Sequence, residues 1–158
     1  MPVKASWVPK PSATNHRLIT PCDQSISYLM RPEPVQVSRV RQQARRALPA
    51  WGLAEHAELA ELIITELVTN AIVHGSGLIE IRLAYESGSL TVYVYDQGDG
   101  RPVRRHPNGD WEYGRGLELI DGLVALYGGI RGVFGDDDRR GKTVFVTLPL
   151  TRDPEGIR

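Results

Sequence analysis

Two stretches of the chain repeat apolar residues at helical spacing. The first begins near Pro34 and ends before Gly52, with apolar residues on one face and arginines on the others. The second runs from Ala54 to His74 and is apolar over a wide arc, as is typical of a largely buried helix. Gly75 is suited to cap its C-terminus. We therefore predict two helices, the second of them buried.

Strands follow, marked by the alternation of apolar and polar residues. Leu78–Tyr85 and Leu90–Tyr95 flank Glu86–Ser89, which predicts a hairpin with a four-residue loop. Ile130–Phe134 and Thr143–Leu148 flank a charged turn and predict a second hairpin. Hairpins of this kind build an antiparallel sheet.

A loop and a third helix connect the two hairpins. Residues 98–116 combine glycines and charges with no apolar period, which is typical of a lid over a site. Apolar residues then recur at helical spacing from Leu117 to Tyr127, before Gly128 and Gly129. Helices that alternate with hairpins predict an α+β fold, a two-layer α/β sandwich with a mostly antiparallel sheet and helices on one face.

One domain accounts for most of the 158 residues. We assign residues 34–150 to this domain and residues 151–158 to a C-terminal tail. Residues 1–33 are predicted to be a partly ordered N-terminal arm, with a short strand near Arg17–Ile19 or Ile26–Met30.

Composition excludes several classes of partner and location. The 19 Lys and Arg residues equal the 19 Asp and Glu residues, so no net charge attracts nucleic acid or an anionic membrane. Cys22 is the only cysteine, which excludes an intramolecular disulfide. The sequence has no leader-like segment and no run of about 18 apolar residues, so we expect a cytoplasmic protein.

Glu66 and Asn70 lie one turn apart on the second helix, separated by about 40° around its axis. No lysine or arginine occurs from Ala57 to Ile81. Burying both groups without partners would cost about 1–3 kcal/mol each, so we expect a polar ligand to meet them. An asparagine oxygen suits Mg²⁺, and the glutamate could order a water or accept a proton. The alternative is a helix edge that faces solvent.

Asp96 ends a predicted strand and opens the segment Asp-Gln-Gly-Asp-Gly. Gly98 and Gly100 have no Cβ, so the backbone can pass close to a ligand while the carboxylate turns towards a ligand amine. An ordinary turn has the same composition, and the segment alone is weak evidence for a site.

The segment Gly114-Arg115-Gly116-Leu117 opens the third helix. Free backbone N–H groups and the helix dipole favour an anion there, although a plain entry into a helix has the same pattern. Gly141-Lys142-Thr143 after Gly135 is similar to a phosphate-binding loop, but five residues separate the glycines where that motif needs four.

Four segments in this order resemble the ATP-binding boxes of the GHKL superfamily. They are Glu66–Gly75, Asp96–Gly100, Gly114–Leu117 and Gly141–Thr143. Their spacing is most similar to the short bacterial branch, the anti-sigma factor serine/threonine kinases and stand-alone actinobacterial ATP-binding regulators. The resemblance implies the Bergerat fold, with ATP and Mg²⁺ as cofactors.

The resemblance also implies a role for each matching residue. Asp96 would bind the adenine amino group, with Thr143 supporting it through water. Asn70 would coordinate Mg²⁺, and Glu66 would be the catalytic base. The lid glycines and their neighbours would approach the nucleotide: Gly98, Gly100, Gly114, Arg115, Gly116 and Leu117.

Partners are implied only at the level of class. In the kinase branch a serine of an anti-anti-sigma protein accepts the phosphate, a sigma factor is the other ligand, and homodimers are common. A different hypothesis is a non-catalytic module in which ATP orders the lid and so gates a protein–protein interaction. A third is an interaction scaffold that binds no nucleotide.

Overall fold

In the computed structural model, which describes residues 24–98, 114–136 and 139–151, α-helices cover one face of a five-stranded antiparallel sheet. The helices are α1 (Val35–Ala50), α2 (Ala57–His74) and α3 (Gly114–Tyr127). The strands are β1 (Gln24–Met30), β2 (Ile79–Glu86), β3 (Ser89–Asp96), β4 (Ile130–Asp136) and β5 (Arg139–Pro149). Their order across the sheet is β1-β2-β3-β5-β4. The α+β two-layer sandwich predicted from the sequence is confirmed.

The register of the sheet decides which side chains face the helices. Val94 pairs with Val144, and Asp96 pairs with Lys142. Because side chains alternate along a strand, these residues share the helix-covered face with the apolar residues of β2 and β3. Tyr95 belongs to the opposite face. The apolar face of the sheet therefore ends, at the C-terminal end of β3, in a carboxylate and an ammonium.

Helix α2 packs against α1 and against strands β2 and β3 of the sheet. Ile64 and Val68 are fully buried, and Ile63 is 1% exposed. On α1, Val40 and Leu48 are buried against the same core, as the helical spacing predicts. None of the helices in the described ranges is long and apolar enough to cross a membrane. Burial on two sides explains why α2 is apolar over so wide an arc.

Turn chemistry corrects one prediction and confirms another. The first hairpin has two loop residues, not four, because Ser87 and Gly88 both have positive φ, 51° and 78°. Such a pair forms the tight turn that matches the twist of paired strands. Gly75 caps the C-terminus of α2, as predicted: its N–H donates to the Ala71 carbonyl oxygen, with an extended backbone at φ −90° and ψ −167°. A glycine is needed at this position for a further reason, which concerns Asp96.

The strands of the second hairpin extend beyond the apolar residues from which they were predicted. β4 and β5 extend into the charged segment, and β5 continues through Gly141 and Lys142 as a strand. A phosphate-binding loop that leads into a helix is therefore excluded at this position. β1 confirms the strand predicted at Ile26–Met30, whereas Arg17–Ile19 lies outside the described residues.

Truncation of Ile64 to alanine should test the core between α2 and the sheet. The side chain is fully buried, so we expect a loss of about 2–5 kcal/mol in the free energy of unfolding. Val73→Ala is the matched control, since Val73 lies on the same helix but is 65% exposed. Urea denaturation measures both. Equal effects of the two variants would contradict the packing described here.

Candidate functional site

A cleft opens between α2, α3 and the strands β3, β5 and β4. Most of its lining is apolar, with a few polar side chains at defined places. The lining residues are Leu67, Asn70, Ala71, Val94, Asp96, Leu117, Arg131, Val133, Lys142 and Val144. An apolar pocket with few, convergent polar groups is the usual form of a small-molecule site.

Asp96 is the most deeply buried polar group of the cleft, at 1% exposure. Its Oδ1 accepts a hydrogen bond of 2.8 Å from the Gly98 N–H. The Lys142 Nζ lies 3.3 Å from Oδ2 and 3.5 Å from Oδ1. A charge taken out of water needs such partners, because an unpaired buried carboxylate is strongly destabilising. The pair therefore keeps a carboxylate acceptor at the wall of an apolar cleft.

Glycines let the backbone close around this carboxylate. A Cβ on Gly75 would lie 2.4 Å from the Ala71 carbonyl oxygen and 2.6 Å from the Asp96 Cγ. A Cβ on Gly98 would lie 2.8 Å from the Asp96 Oδ1. None of these three distances is possible for a Cβ, so α2 can end against Asp96 in this way only where residue 75 is glycine. Gly75 thus both caps α2, with its N–H donating to the Ala71 carbonyl oxygen, and permits this close approach to Asp96.

On β5, Gly141 performs a similar role. It has φ +119°, and a Cβ there would lie 2.2 Å from the Asp96 carbonyl oxygen. The absence of a side chain lets β5 press against the end of β3. That contact fixes the position of Lys142, the next residue, directly across from Asp96.

Helix α2 places Asn70 and Glu66 at increasing distance from Asp96. Counting back from Gly75, which touches Asp96, Asn70 and Glu66 lie about 7.5 Å and 13.5 Å along the helix axis. Asn70 lines the cleft, and Glu66 is half-buried but is not among the lining residues. The helix thus presents a carboxamide in the cleft and a carboxylate one turn beyond it.

The predicted start of the third helix is confirmed. α3 begins at Gly114, and Leu117 is buried and lines the cleft. Arg115 and Gly116 belong to its first turn, and the structure describes only their backbone. Gly100 also falls outside the described ranges. The free N–H groups of an α-helix N-terminus therefore occur next to a lining residue of the cleft.

The role that the resemblance implies for Thr143, support of the adenine through water, stays a prediction. Thr143 pairs with Tyr95, on the face of the sheet away from the helices, and it does not line the cleft. Lys142 takes the place beside Asp96 instead. Sequence reasoning missed Lys142 because only the strand register decides which of two neighbours faces the cleft.

Arg131 is a second cation that sequence reasoning missed. It lies on β4, lines the cleft and forms an ion pair with Asp121 of α3, with 3.1 Å between Nη2 and Oδ2. The pair joins the edge strand to the helix above it. No sequence motif marks Arg131, since its role follows from the contact between α3 and β4.

Magnesium is the metal that the resemblance implies, and Asn70 suits it. In the described ranges no three His, Cys, Asp or Glu residues come close enough together to hold a metal. Mg²⁺ does not require such a cluster, because it keeps several waters and binds nucleotide phosphates together with few protein oxygens. The Asn70 carboxamide, at the wall of the cleft, would be such a ligand.

Comparison with known proteins agrees with this geometry. The sequence pattern of the histidine kinase-like ATPase domain matches residues 30–147. The match covers the sandwich from the end of β1 to β5 and identifies it as an ATPase domain of the GHKL superfamily. The chain belongs to the histidine kinase-like ATPase domain family.

Several solved structures match the chain, among them one histidine kinase domain. The histidine kinase domain of the blue-light activated histidine kinase from Erythrobacter litoralis EL346 has 23% sequence identity with the chain and a TM-score of 0.48. The similarity covers 74% of this chain and 60% of that domain. Among curated proteins, no sequence matches the chain.

Gly75→Ala should destabilise the protein through the contact with Asp96. The added Cβ meets backbone and a buried carboxylate, so we expect a loss of about 1–3 kcal/mol in the free energy of unfolding. Gly122→Ala is the control, because a Cβ on this α3 glycine meets nothing within 4 Å. That change should stabilise by about 0.5–1 kcal/mol. Denaturant titration measures both, and a neutral Gly75→Ala would contradict the close approach.

Proposed function

We propose that the protein is an ATP- and Mg²⁺-dependent regulatory kinase of the anti-sigma factor type, which phosphorylates a serine or threonine of a protein partner. The observation that carries this proposal is that Asp96 and Asn70, distant in sequence, line one cleft. The partner class, an anti-anti-sigma-like protein together with a sigma factor, rests on the resemblance of the four boxes.

The order of the polar groups from Asp96 along α2 supports the binding of a nucleotide. A buried carboxylate that accepts hydrogen bonds suits an exocyclic amine, such as that of adenine. The apolar lining of Leu67, Val94 and Val144 suits the faces of a purine ring. Asn70 follows at about 7.5 Å along α2 and Glu66 at about 13.5 Å. The order Asp96, Asn70, Glu66 matches the order of the groups that they would meet on bound ATP: the base, the metal at the phosphates, and the terminal phosphate.

Phosphoryl transfer needs a proton acceptor near the attacking hydroxyl. The serine oxygen of the partner would form a bond to the γ-phosphorus while the bond from that phosphorus to the β–γ bridging oxygen breaks, and ADP leaves. Glu66 would accept the hydroxyl proton. Bound Mg²⁺ would neutralise charge that develops on the phosphate oxygens. The protein otherwise contributes position and electrostatics.

A second candidate is a non-catalytic module in which ATP controls affinity for a partner protein. It is favoured by the position of Glu66, which does not line the cleft in the described part of the chain. The module retains Asp96 and Asn70 as binding residues. It differs from the kinase only in the absence of turnover.

Asp96→Asn should abolish or strongly weaken ATP binding. The amide presents an N–H donor where the carboxylate presents acceptors, and it loses the charge that pairs with Lys142. Calorimetric titration of wild type and variant with ATP and Mg²⁺ measures the change. Glu86→Gln, an exposed change in the β2–β3 hairpin, is the control. Equal affinity of wild type and Asp96→Asn would remove Asp96 from the site.

Glu66→Ala should separate binding from chemistry. We expect it to spare ATP affinity and to lower transfer of labelled phosphate to a partner serine by about 10²–10⁴-fold, the usual effect of losing a general base. Glu58→Ala is the matched control, because Glu58 is an exposed carboxylate on the same helix.

The same assay distinguishes the two candidates. If wild type transfers no phosphate but binds its partner more tightly with ATP, the non-catalytic module is correct. Undiminished transfer by Glu66→Ala would remove Glu66 from the role of base.

A further inference from the structure

Lys142 is a buried cation inside a cleft that already contains a carboxylate. It is 7% exposed and lines the cleft with Asp96. Because it lies on β5, between β3 and the edge strand β4, its backbone is held on both sides. Lysine is rarely so buried unless it is paired. Its position is therefore a rigid feature of the site.

The hydrogen-bonding capacity of Lys142 exceeds what Asp96 takes up. An ammonium has three donors and no acceptor. Within the described ranges, the polar contacts of its Nζ are with the two Asp96 oxygens, at 3.3 and 3.5 Å. Both residues line the same cleft. At least one donor is therefore available to a ligand that enters beside the carboxylate.

We propose that Lys142 recognises the nucleotide base directly: it donates a hydrogen bond to a ring nitrogen next to the amino group whose hydrogen bond Asp96 accepts. This inference rests on the proposed binding of ATP. The protein presents an acceptor, the Asp96 carboxylate, beside a donor, the Lys142 ammonium. Adenine presents the complementary pair: its amino group donates, and N1 or N7 beside it accepts. Guanine presents an oxygen in place of the amino group. That oxygen would face the Asp96 carboxylate, so the pair selects adenine.

A purely structural ion pair is the competing explanation. In that case Lys142 would join β3 to β5 and neutralise Asp96, and its removal would change stability without changing how the site distinguishes bases. A role in reading the base predicts a coupling between Lys142 and one particular atom of the ligand. A cycle of protein variants and ligand analogues measures that coupling.

The test uses calorimetry on the full chain with ADP, 1-deaza-ADP and 7-deaza-ADP. Wild type should bind one of the two analogues roughly 10- to 100-fold more weakly than ADP, the effect of one hydrogen bond from a charged donor. Lys142→Met should bind ADP more weakly and should no longer distinguish that analogue from ADP. Arg46→Met, which removes one exposed positive charge on α1, should keep the wild-type discrimination.

Lys142→Gln provides a second variant if Lys142→Met fails to fold. Its amide still donates to Asp96, but its shorter side chain should not reach the base, so the discrimination should again be lost. Equal affinity of wild type for all three ligands would overturn the proposed role of Lys142, while the proposal that the protein binds ATP would stand. Discrimination that persists in both variants would also overturn it, since another group would then read the nitrogen. A wild type that binds no ADP would overturn the proposed function itself.

Discussion

A carboxylate with 1% exposure, Asp96, is the constraint around which the site is built. A buried charge of this kind is stable only when fixed partners surround it. Those partners are the Gly98 N–H and the Lys142 ammonium. Two glycines at other points of the chain, Gly75 and Gly141, allow α2 and β5 to approach closely enough. Three elements that are far apart in sequence therefore meet at one group.

Helix α2 connects this group to the rest of the cleft. Its apolar residues are buried against α1 and the sheet, so its orientation is fixed by the core. A narrow polar edge remains, and this edge carries Asn70 and Glu66. Because the helix ends against Asp96, the rise per residue determines how far each polar group lies from the carboxylate. The packing of the core thus sets the distances within the site.

Patterns in the sequence predicted the helices and strands whose formation depends on neighbouring residues alone. Helical spacing on α1 and α2, the alternation on β2 and β3, and the start of α3 at Gly114 all appear in the structure. The loop between β2 and β3 is shorter than predicted, because Ser87 joins Gly88 at positive φ and residues with side chains rarely do so. The lid glycine Gly100 lies outside the described residues, and its role stays a prediction.

The sequence by itself determined the class of the protein, since the four boxes depend on residue types that follow one another at fixed spacing. It also determined that Asp96 ends a strand and that Asn70 and Glu66 share a helix edge, because helix and strand periods are local properties. Only the tertiary structure decided that Lys142, and not its neighbour Thr143, lies beside Asp96. Register between distant strands sets that choice, and a shift of one residue would reverse it. The same holds for Arg131 and Gly75, whose roles depend on which surfaces meet.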